Sequence, residues 1–457
     1  MIFKYLKTRL FNFNFFPLQK VLLSFILLIF SGSILLMLPT STNNGISYID
    51  ALFTATSAVC VTGLIILDTA KDFTFSGKFI IFILIQFGGI GIMTFYLGLI
   101  SLFGKNLSVK WKMTLQETYS DTGKLHVKKI LIRVIKYTLF FESITALILF
   151  SQFIKDFSIL KAAEHSVFLA VSAFCNAGFS TFSDSLMHYQ VNYIINFAIT
   201  GAIITGGLGF IVLKEISSLR FKIGKKRTDH NFFSLHTKIV LITTGILLLS
   251  GTVIFFFLEK NNSLNNFNIA QSLLVSFFQS VSCRTAGFNT INISSLREST
   301  LLLMIGLMFI GGSPGSIAGG IKTTTIALIF LYLYSKFKNR NEVSLFGRSL
   351  SHDILDRSKI LFILAVILIT LISFLILVTN DFNKPFTLTS VVFETVSAFG
   401  TVGLSTGITG LLTTAGKIFI IVLMFMGRLG LLTFILNMNS RKKQYTIEYP
   451  NEQIMIG

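Results

Sequence analysis

The stretch SAFGTVGLS, Ser397–Ser405, decides the fold, because three other stretches of the chain resemble it. In each stretch one glycine is followed directly by Leu or Phe. The other three stretches read SAVCVTGLI (Ser57–Ile65), SAFCNAGFS (Ser172–Ser180) and VSCRTAGFN (Val281–Asn289). Their shared glycines, Gly63, Gly178, Gly287 and Gly403, follow one another at intervals of 115, 109 and 116 residues. A period near 110 residues that recurs along a chain indicates an internal repeat.

The composition around these stretches is that of an integral membrane protein. Of the 457 residues, 52% are hydrophobic and 13% are charged, whereas about 25% are charged in an average soluble domain. A spanning helix needs roughly 20 apolar residues. Eight segments meet this need, near residues 19–39, 77–103, 130–153, 191–214, 237–258, 299–335, 359–379 and 416–438. Each glycine stretch lies between two of them, in a shorter segment whose length suits a re-entrant helix.

The net charge of +19 is explained by membrane topology rather than by nucleic-acid binding. With the N-terminus inside, 28 of the 39 basic residues fall in inner segments, as the positive-inside rule requires. Both termini are therefore predicted to be cytoplasmic. The three cysteines, Cys60, Cys175 and Cys283, have neither a disulfide nor a metal-site spacing.

The predicted fold is an all-α integral membrane protein with four tandem helix–pore helix–helix repeats. Eight transmembrane helices and four re-entrant pore helices would surround one pseudo-fourfold pore. The predicted repeats are residues 1–104, 105–222, 223–345 and 346–440, and residues 441–457 form a tail.

The glycine turns are predicted to form a selectivity filter. Non-helical backbone at membrane depth is tolerated where it lines a watery cavity, and a ring of carbonyls can replace the hydration shell of a cation. The alternative is close helix packing through small residues, which the turn-like neighbours of these glycines disfavour. The predicted K⁺-binding residues are Val61, Thr62, Gly63, Asn176, Ala177, Gly178, Thr285, Ala286, Gly287, Thr401, Val402 and Gly403.

A gate is predicted in the third repeat, where the second spanning segment contains GGSPGSIAGG, Gly311–Gly320. Proline and glycine both disfavour helix, so a loop should interrupt this span. Arg428, at the matching depth of the fourth repeat, is predicted to latch the loop through its carbonyls; the alternative is an arginine that only holds helices together. The predicted gate residues are Gly311, Gly312, Ser313, Pro314, Gly315, Ser316, Gly319, Gly320, Lys322 and Arg428.

Four more charged residues have predicted or open roles. Arg284 and Glu394 lie beside the predicted filter and are predicted to form an ion pair that supports it. Asp50 is predicted to cap the first pore helix. Glu142 lies in the middle of a span, and the sequence names no partner for it.

The motifs CRTAGFNT and GGSPGSIAGGIKTTT, with the four glycine stretches, resemble those of the Trk/Ktr/HKT superfamily of potassium-uptake proteins. The similarity covers nearly the whole chain and is greatest to the bacterial KtrB type. It implies K⁺ preference at the four glycines, an intramembrane gating loop and a place in the bacterial plasma membrane. It also implies a homodimer and a cytosolic ring of KtrA- or KtrC-type nucleotide-binding subunits. The tail 441–457 is expected at that dimer interface.

The leading hypothesis is channel-like K⁺ uptake driven by the membrane potential, which supplies about 2.3 kcal/mol per charge per 100 mV. A role of Na⁺ as activator follows from the resemblance alone, and no cofactor is expected on this chain. The alternative is a secondary transporter that couples K⁺ to Na⁺ or H⁺. Such proteins often have inverted repeats, whereas all the repeats predicted here face the same way. An enzyme is disfavoured, because the sequence has no nucleophile–base pair, phosphate loop or metal cluster.

Overall fold

A computed structural model of the chain describes residues 17–90, 127–219, 233–340, 342–380 and 386–430. Three of the described helices are long and apolar enough to cross a bilayer, and a bent pair of helices makes a fourth candidate. Shorter apolar helices lie in the predicted spans 19–39, 77–103 and 299–335, and the helix Thr414–Leu429 lies in the predicted span 416–438. Residues 91–103 and 431–438 of these spans lie outside the described residues. The predicted tail 441–457 lies outside the described residues.

The described helices follow the order long helix, short helix, second helix four times. The first group is α1 (Pro17–Leu36), α2 (Tyr48–Val59) and α3 (Phe75–Ile90), and the second is α4 (Val127–Phe153), α5 (Ile159–Phe174), α6 (Tyr193–Leu208) and α7 (Phe210–Leu219). The third is α8 (Leu235–Glu259), α9 (Ile269–Ser282), α10 (Glu298–Phe309) and α11 (Thr323–Phe337). The fourth is α12 (His352–Thr379), α13 (Leu388–Gly400) and α14 (Thr414–Leu429).

Small elements connect these groups. An antiparallel hairpin of β1 (Ser344–Leu345) and β2 (Arg348–Ser349) joins the third group to the fourth. Single 3₁₀ turns lie in the segments that follow three of the short helices, at Met187–Tyr189, Ile293–Ser295 and Thr409–Leu411.

Polar caps fix where three of the short helices begin. Asn268 caps α9 and Thr387 caps α13, each in a reciprocal capping box. The predicted cap Asp50 is wrong, because Ser47 is the N-cap of α2 and accepts from the backbone N–H of Asp50 at 3.2 Å. Asp50 lies within the first turn, and its carboxylate binds Lys417 Nζ at 2.6 Å.

The four groups close into a ring. The second helix of each group packs on the short helix of the next: α3 on α5, α6 on α9, α10 on α13 and, finally, α14 on α2. The Asp50–Lys417 ion pair joins this last pair of helices, which are 367 residues apart in the chain. The ring places the short helices at its centre, and most of their side chains are buried although each helix has only 12 to 16 residues.

Glycines let the second helices approach the ends of the short helices. A methyl group on Gly88 would overlap the carbonyl of Val59, and one on Gly206 would overlap that of Phe174. The same holds for Gly427 and the carbonyl of Phe399. In these three groups Gly88, Gly206 and Gly427 therefore allow close packing directly beside the turns that follow the short helices.

Candidate ion-binding site and gate

The four turns that follow the short helices share one backbone conformation. Each has a positive φ at its glycine: 90° at Gly63, 71° at Gly178, 77° at Gly287 and 92° at Gly403. Two residues earlier each turn has a second positive φ, between 51° and 67°, at a residue that is not glycine; these are Val61, Asn176, Thr285 and Thr401. Such a conformation is uncommon for any side chain and is a genuine outlier for β-branched ones. Strain repeated at four equivalent positions is typical of a functional site.

The four glycines lie against one another in chain order. A methyl group on Gly63 would lie 2.9 Å from the Cα of Gly178, and one on Gly178 would lie 3.0 Å from the Cα of Gly287. From Gly287 the corresponding distance to Gly403 is 3.3 Å, and from Gly403 back to Gly63 it is 3.0 Å. The turns therefore form a closed ring, and the ring has no room for a side chain at any of the four glycines.

Four serines in the last turn of the short helices hold the glycine turns in place. Ser57 Oγ accepts from the N–H of Gly63, and Ser397 Oγ accepts from the N–H of Gly403, both at 3.1 Å. Ser172 Oγ donates to the carbonyl of Phe179 at 2.7 Å, and Ser282 donates to that of Phe288. Sequence reasoning missed these residues, although a serine recurs in all four quoted stretches.

A cavity of about 350 Å³ opens on one side of the ring. All four ring glycines line it, together with the residues that follow them in the chain. Its wall also includes the carboxylates Asp68 and Asp184, which the sequence did not single out. Two carboxylates in a cavity that ends at backbone turns favour the approach of cations over anions.

The segment Gly311–Gly320 forms a loop, closed at its base by Gly311 N–H to the Ile321 carbonyl at 2.8 Å. It meets the second group where α6 and α7 bend by 102° at Gly209. The N–H of Ser313 donates to the carbonyl of Gly207 at 3.1 Å, and its hydroxyl donates to the same carbonyl and to that of Leu208. This half of the loop therefore fills hydrogen bonds that the break in the helix leaves open.

The other half of the loop meets the fourth group. Gly319 N–H donates to Thr401 Oγ1 at 3.2 Å, and Gly320 N–H donates to the carbonyl of Gly427 at 3.3 Å. Because the ring follows chain order, the second and fourth groups face each other across it. The loop therefore crosses the ring axis, next to the residues that precede the ring glycines, whereas the cavity lies next to those that follow them.

The predicted loop acceptor for Arg428 is wrong. The hydrogen bond of this guanidinium goes to the carbonyl of Gly88, in the first group. That carbonyl belongs to the last turn of α3. This turn packs closely against the end of α2, on which α14 also packs, so the carbonyl lies within hydrogen-bond distance of Arg428. Lys322 Nζ donates to the Ala318 carbonyl at 2.6 Å, so it is Lys322 that binds a loop carbonyl.

The predicted Arg284–Glu394 ion pair is also not formed. Glu394 accepts hydrogen bonds from Ser405 Oγ and, at 3.0 Å, from Thr409 Oγ1. It lies near the middle of α13, whereas Arg284 follows the end of α9, and so the two side chains meet different surroundings. Arg284 is buried, and its Nε has no hydrogen-bond partner.

Glu142, whose partner the sequence left open, lies behind the turn of the second group. Its carboxylate accepts a hydrogen bond from Gln86 Nε2 at 3.0 Å and one from the thiol of Cys175 at 3.7 Å. Cys175 caps the C-terminal end of α5 and so leads directly into the turn. The carboxylate therefore joins α3 and α4 to the base of this turn.

A buried ring of backbone turns, open to an acidic cavity inside an apolar helical bundle, defines a multi-pass membrane protein for cation transport. A family model described as "TrkH: Cation transport protein" matches residues 15–446. The chain belongs to the TrkH family of cation transport proteins. It is accordingly a transport protein and not an enzyme.

Relatives of this chain match it over nearly its full length. It is 40% identical to Ktr system potassium uptake protein B of Bacillus subtilis, over 97% of each chain. It is 37% identical to potassium/sodium uptake protein NtpJ of Enterococcus hirae, over 96% of this chain and 97% of the relative. The crystal structure of the potassium transporter TrkH from Vibrio parahaemolyticus is similar in fold, with a TM-score of 0.72 and 18% identity over 93% of this chain and 85% of that one.

Proposed function

We propose that this chain is the pore-forming subunit of a potassium uptake system and conducts K⁺ in the manner of a channel. The observation that carries the proposal is the closed ring of four glycine turns. Backbone carbonyls are the groups that replace the water around a K⁺ ion. The ring is contributed by one chain. Of the two relatives that match over nearly the full length, one is named a potassium uptake protein and the other a potassium/sodium uptake protein.

In this proposal the selectivity filter consists of the three residues that end at each ring glycine. The ion enters from the acidic cavity and leaves on the side of the loop Gly311–Gly320. The short helices end at the turns, so their carbonyl ends, which carry roughly half a negative charge each, favour a cation there. The membrane potential drives the ion inward at about 2.3 kcal/mol per 100 mV.

The loop Gly311–Gly320 is proposed to be the gate. It is tied by hydrogen bonds to two groups that face each other, and so it obstructs the path below the ring while these bonds persist. We further propose that the chain acts as a homodimer in the plasma membrane with cytoplasmic termini, and that a cytosolic ring of nucleotide-binding subunits moves the loop. The motif resemblance supports these last points, and also the proposal that Na⁺ is an activator.

The experiment that tests this proposal is a reversal-potential measurement on the purified full-length chain in a planar bilayer with opposed K⁺ and Na⁺ gradients. We expect a current that reverses near the K⁺ equilibrium potential and does not shift when only the pH gradient is changed. A coupled transporter would give a reversal potential that moves with the Na⁺ or H⁺ gradient at constant K⁺. That result, or the lack of any K⁺ current, would contradict the proposal.

A further inference from the structure

The gating loop is attached to the ion-binding ring itself. Gly319 N–H donates to the hydroxyl of Thr401 at 3.2 Å, and both residues are buried. The contact is close, because a methyl group on Gly319 would overlap the Thr401 side chain. On the next residue, Gly320, a methyl group would lie 3.2 Å from the Cα of Gly400. The loop thus rests on the turn of the fourth group with no space between them.

Only one of the four equivalent ring positions can make this bond. Val61 has no polar side-chain atom. The side chains of Asn176 and Thr285 bond to each other at 3.2 Å and so link the second turn to the third. Thr401 has its hydroxyl turned to the loop. The attachment is therefore a specific feature of the fourth turn rather than a general property of the ring.

The conformation of Thr401 joins its side chain to the filter backbone. Thr401 has φ 51° and ψ 49° and ends α13, with its N–H donating to the carbonyl of Ala398 at 3.1 Å. A β-branched side chain has little freedom about its first torsion. A pull on the hydroxyl therefore acts on the turn, and a change in the turn moves the hydroxyl away from Gly319.

We propose that Thr401 keeps the gate closed. It is a positioning residue in the filter, and its hydroxyl accepts the hydrogen bond that holds the loop Gly311–Gly320 in the closed position. This inference rests on the proposed function and assigns to Thr401 the part that the sequence had given to Arg428. It also couples the selectivity filter to the gating loop. Because coupling between two sites is reciprocal, opening of the loop relaxes the fourth turn, and a change in that turn loosens the loop.

The test is a double-mutant cycle on the full-length chain in liposomes, with K⁺ efflux as the measurement. Thr401→Val removes the acceptor at nearly constant volume and should raise resting K⁺ flux about fivefold, the ratio that corresponds to one hydrogen bond. Thr401→Ser keeps the hydroxyl and should raise the flux less than Thr401→Val does. In a chain that lacks Ser313–Gly319, and so lacks the donor of this bond, Thr401→Val should have no further effect.

Three outcomes would contradict the proposal that Thr401 keeps the loop closed. The first is an equal effect of Thr401→Val with and without the loop, which would place its action in the filter alone. The second is a rise for Thr401→Ser as large as that for Thr401→Val. Should the valine variant fail to fold, Gly319→Ala takes its place, because its methyl group would displace the hydroxyl; unchanged flux in that folded variant is the third. Wild-type liposomes without any K⁺ flux would instead contradict the proposed function.

Discussion

Replacement of Gly403 by alanine should lower the preference of the pore for K⁺ over Na⁺ by about tenfold or more. The alanine would have to adopt a φ of 92°, and such strain costs on the order of 1–3 kcal/mol. Its methyl group would also lie 3.0 Å from the Cα of Gly63 and would overlap the carbonyl of Thr62. The turn must therefore move, and with it the carbonyls that bind the ion. The measurement is the permeability ratio from reversal potentials.

Gly45→Ala is the matched control for this substitution. Gly45 also has a positive φ, 75°, but nothing lies within 4 Å of the position of its missing methyl group. It precedes the N-terminal end of α2, whereas the turn with Gly63 follows the C-terminal end of that helix. This variant should carry a comparable backbone cost and keep the wild-type permeability ratio. A folded Gly403→Ala protein with wild-type selectivity would mean that the ring does not select the ion.

Deletion of Ser313–Ala318 should raise resting K⁺ flux at least about tenfold. The deletion removes the bonds between the loop and the carbonyls of Gly206, Gly207 and Leu208, and each hydrogen bond contributes about 1 kcal/mol. The remaining bonds of Gly319 and Gly320 reach only the fourth group, so the chain would no longer be tied to two facing groups. The measurement is K⁺ efflux from liposomes in which the amount of folded protein is matched.

Substitution of two serines of the loop distinguishes the contribution of its contact with the second group from that of its internal hydrogen bonds. Ser313→Ala removes hydroxyl bonds to Gly207 and Leu208, and we expect a severalfold rise in flux. Ser316→Ala removes a bond to the carbonyl of Ser313 within the loop and should have a smaller effect. Wild-type or lower flux in a folded deletion variant would show that the loop is not a gate.

Periodic features of this fold can be predicted from the sequence, and contacts between groups cannot. Hydrophobic length predicts the apolar helices, and four similar glycine stretches predict the turns, because each signal lies within one segment. The path of the loop to two facing groups has no such signal. It depends on the helix break at Gly209, and the sequence does not distinguish this glycine from Gly88 and Gly427, at which the helix continues.

The wrong predictions concern the hydrogen-bond partners of charged side chains. Arg428 was assigned to the loop because both occupy matching depths, but α14 packs next to the first group, and Arg428 donates its hydrogen bond to the carbonyl of Gly88. Glu394 was assigned to Arg284 by charge alone, yet hydroxyls of its own group satisfy it. Opposite charge is a weak guide to pairing where helix ends and hydroxyls supply many alternative partners.

The most direct test of the account is anomalous X-ray diffraction from crystals of this protein grown with Tl⁺ in place of K⁺. Thallium scatters anomalously and matches K⁺ in charge and closely in size, so its position can be located without reference to any assumed site. We predict density on the axis between Gly63, Gly178, Gly287 and Gly403, within bonding distance of carbonyls from all four turns. Density only outside this ring, in crystals of a protein that conducts Tl⁺, would contradict the claim that the four turns bind the dehydrated ion.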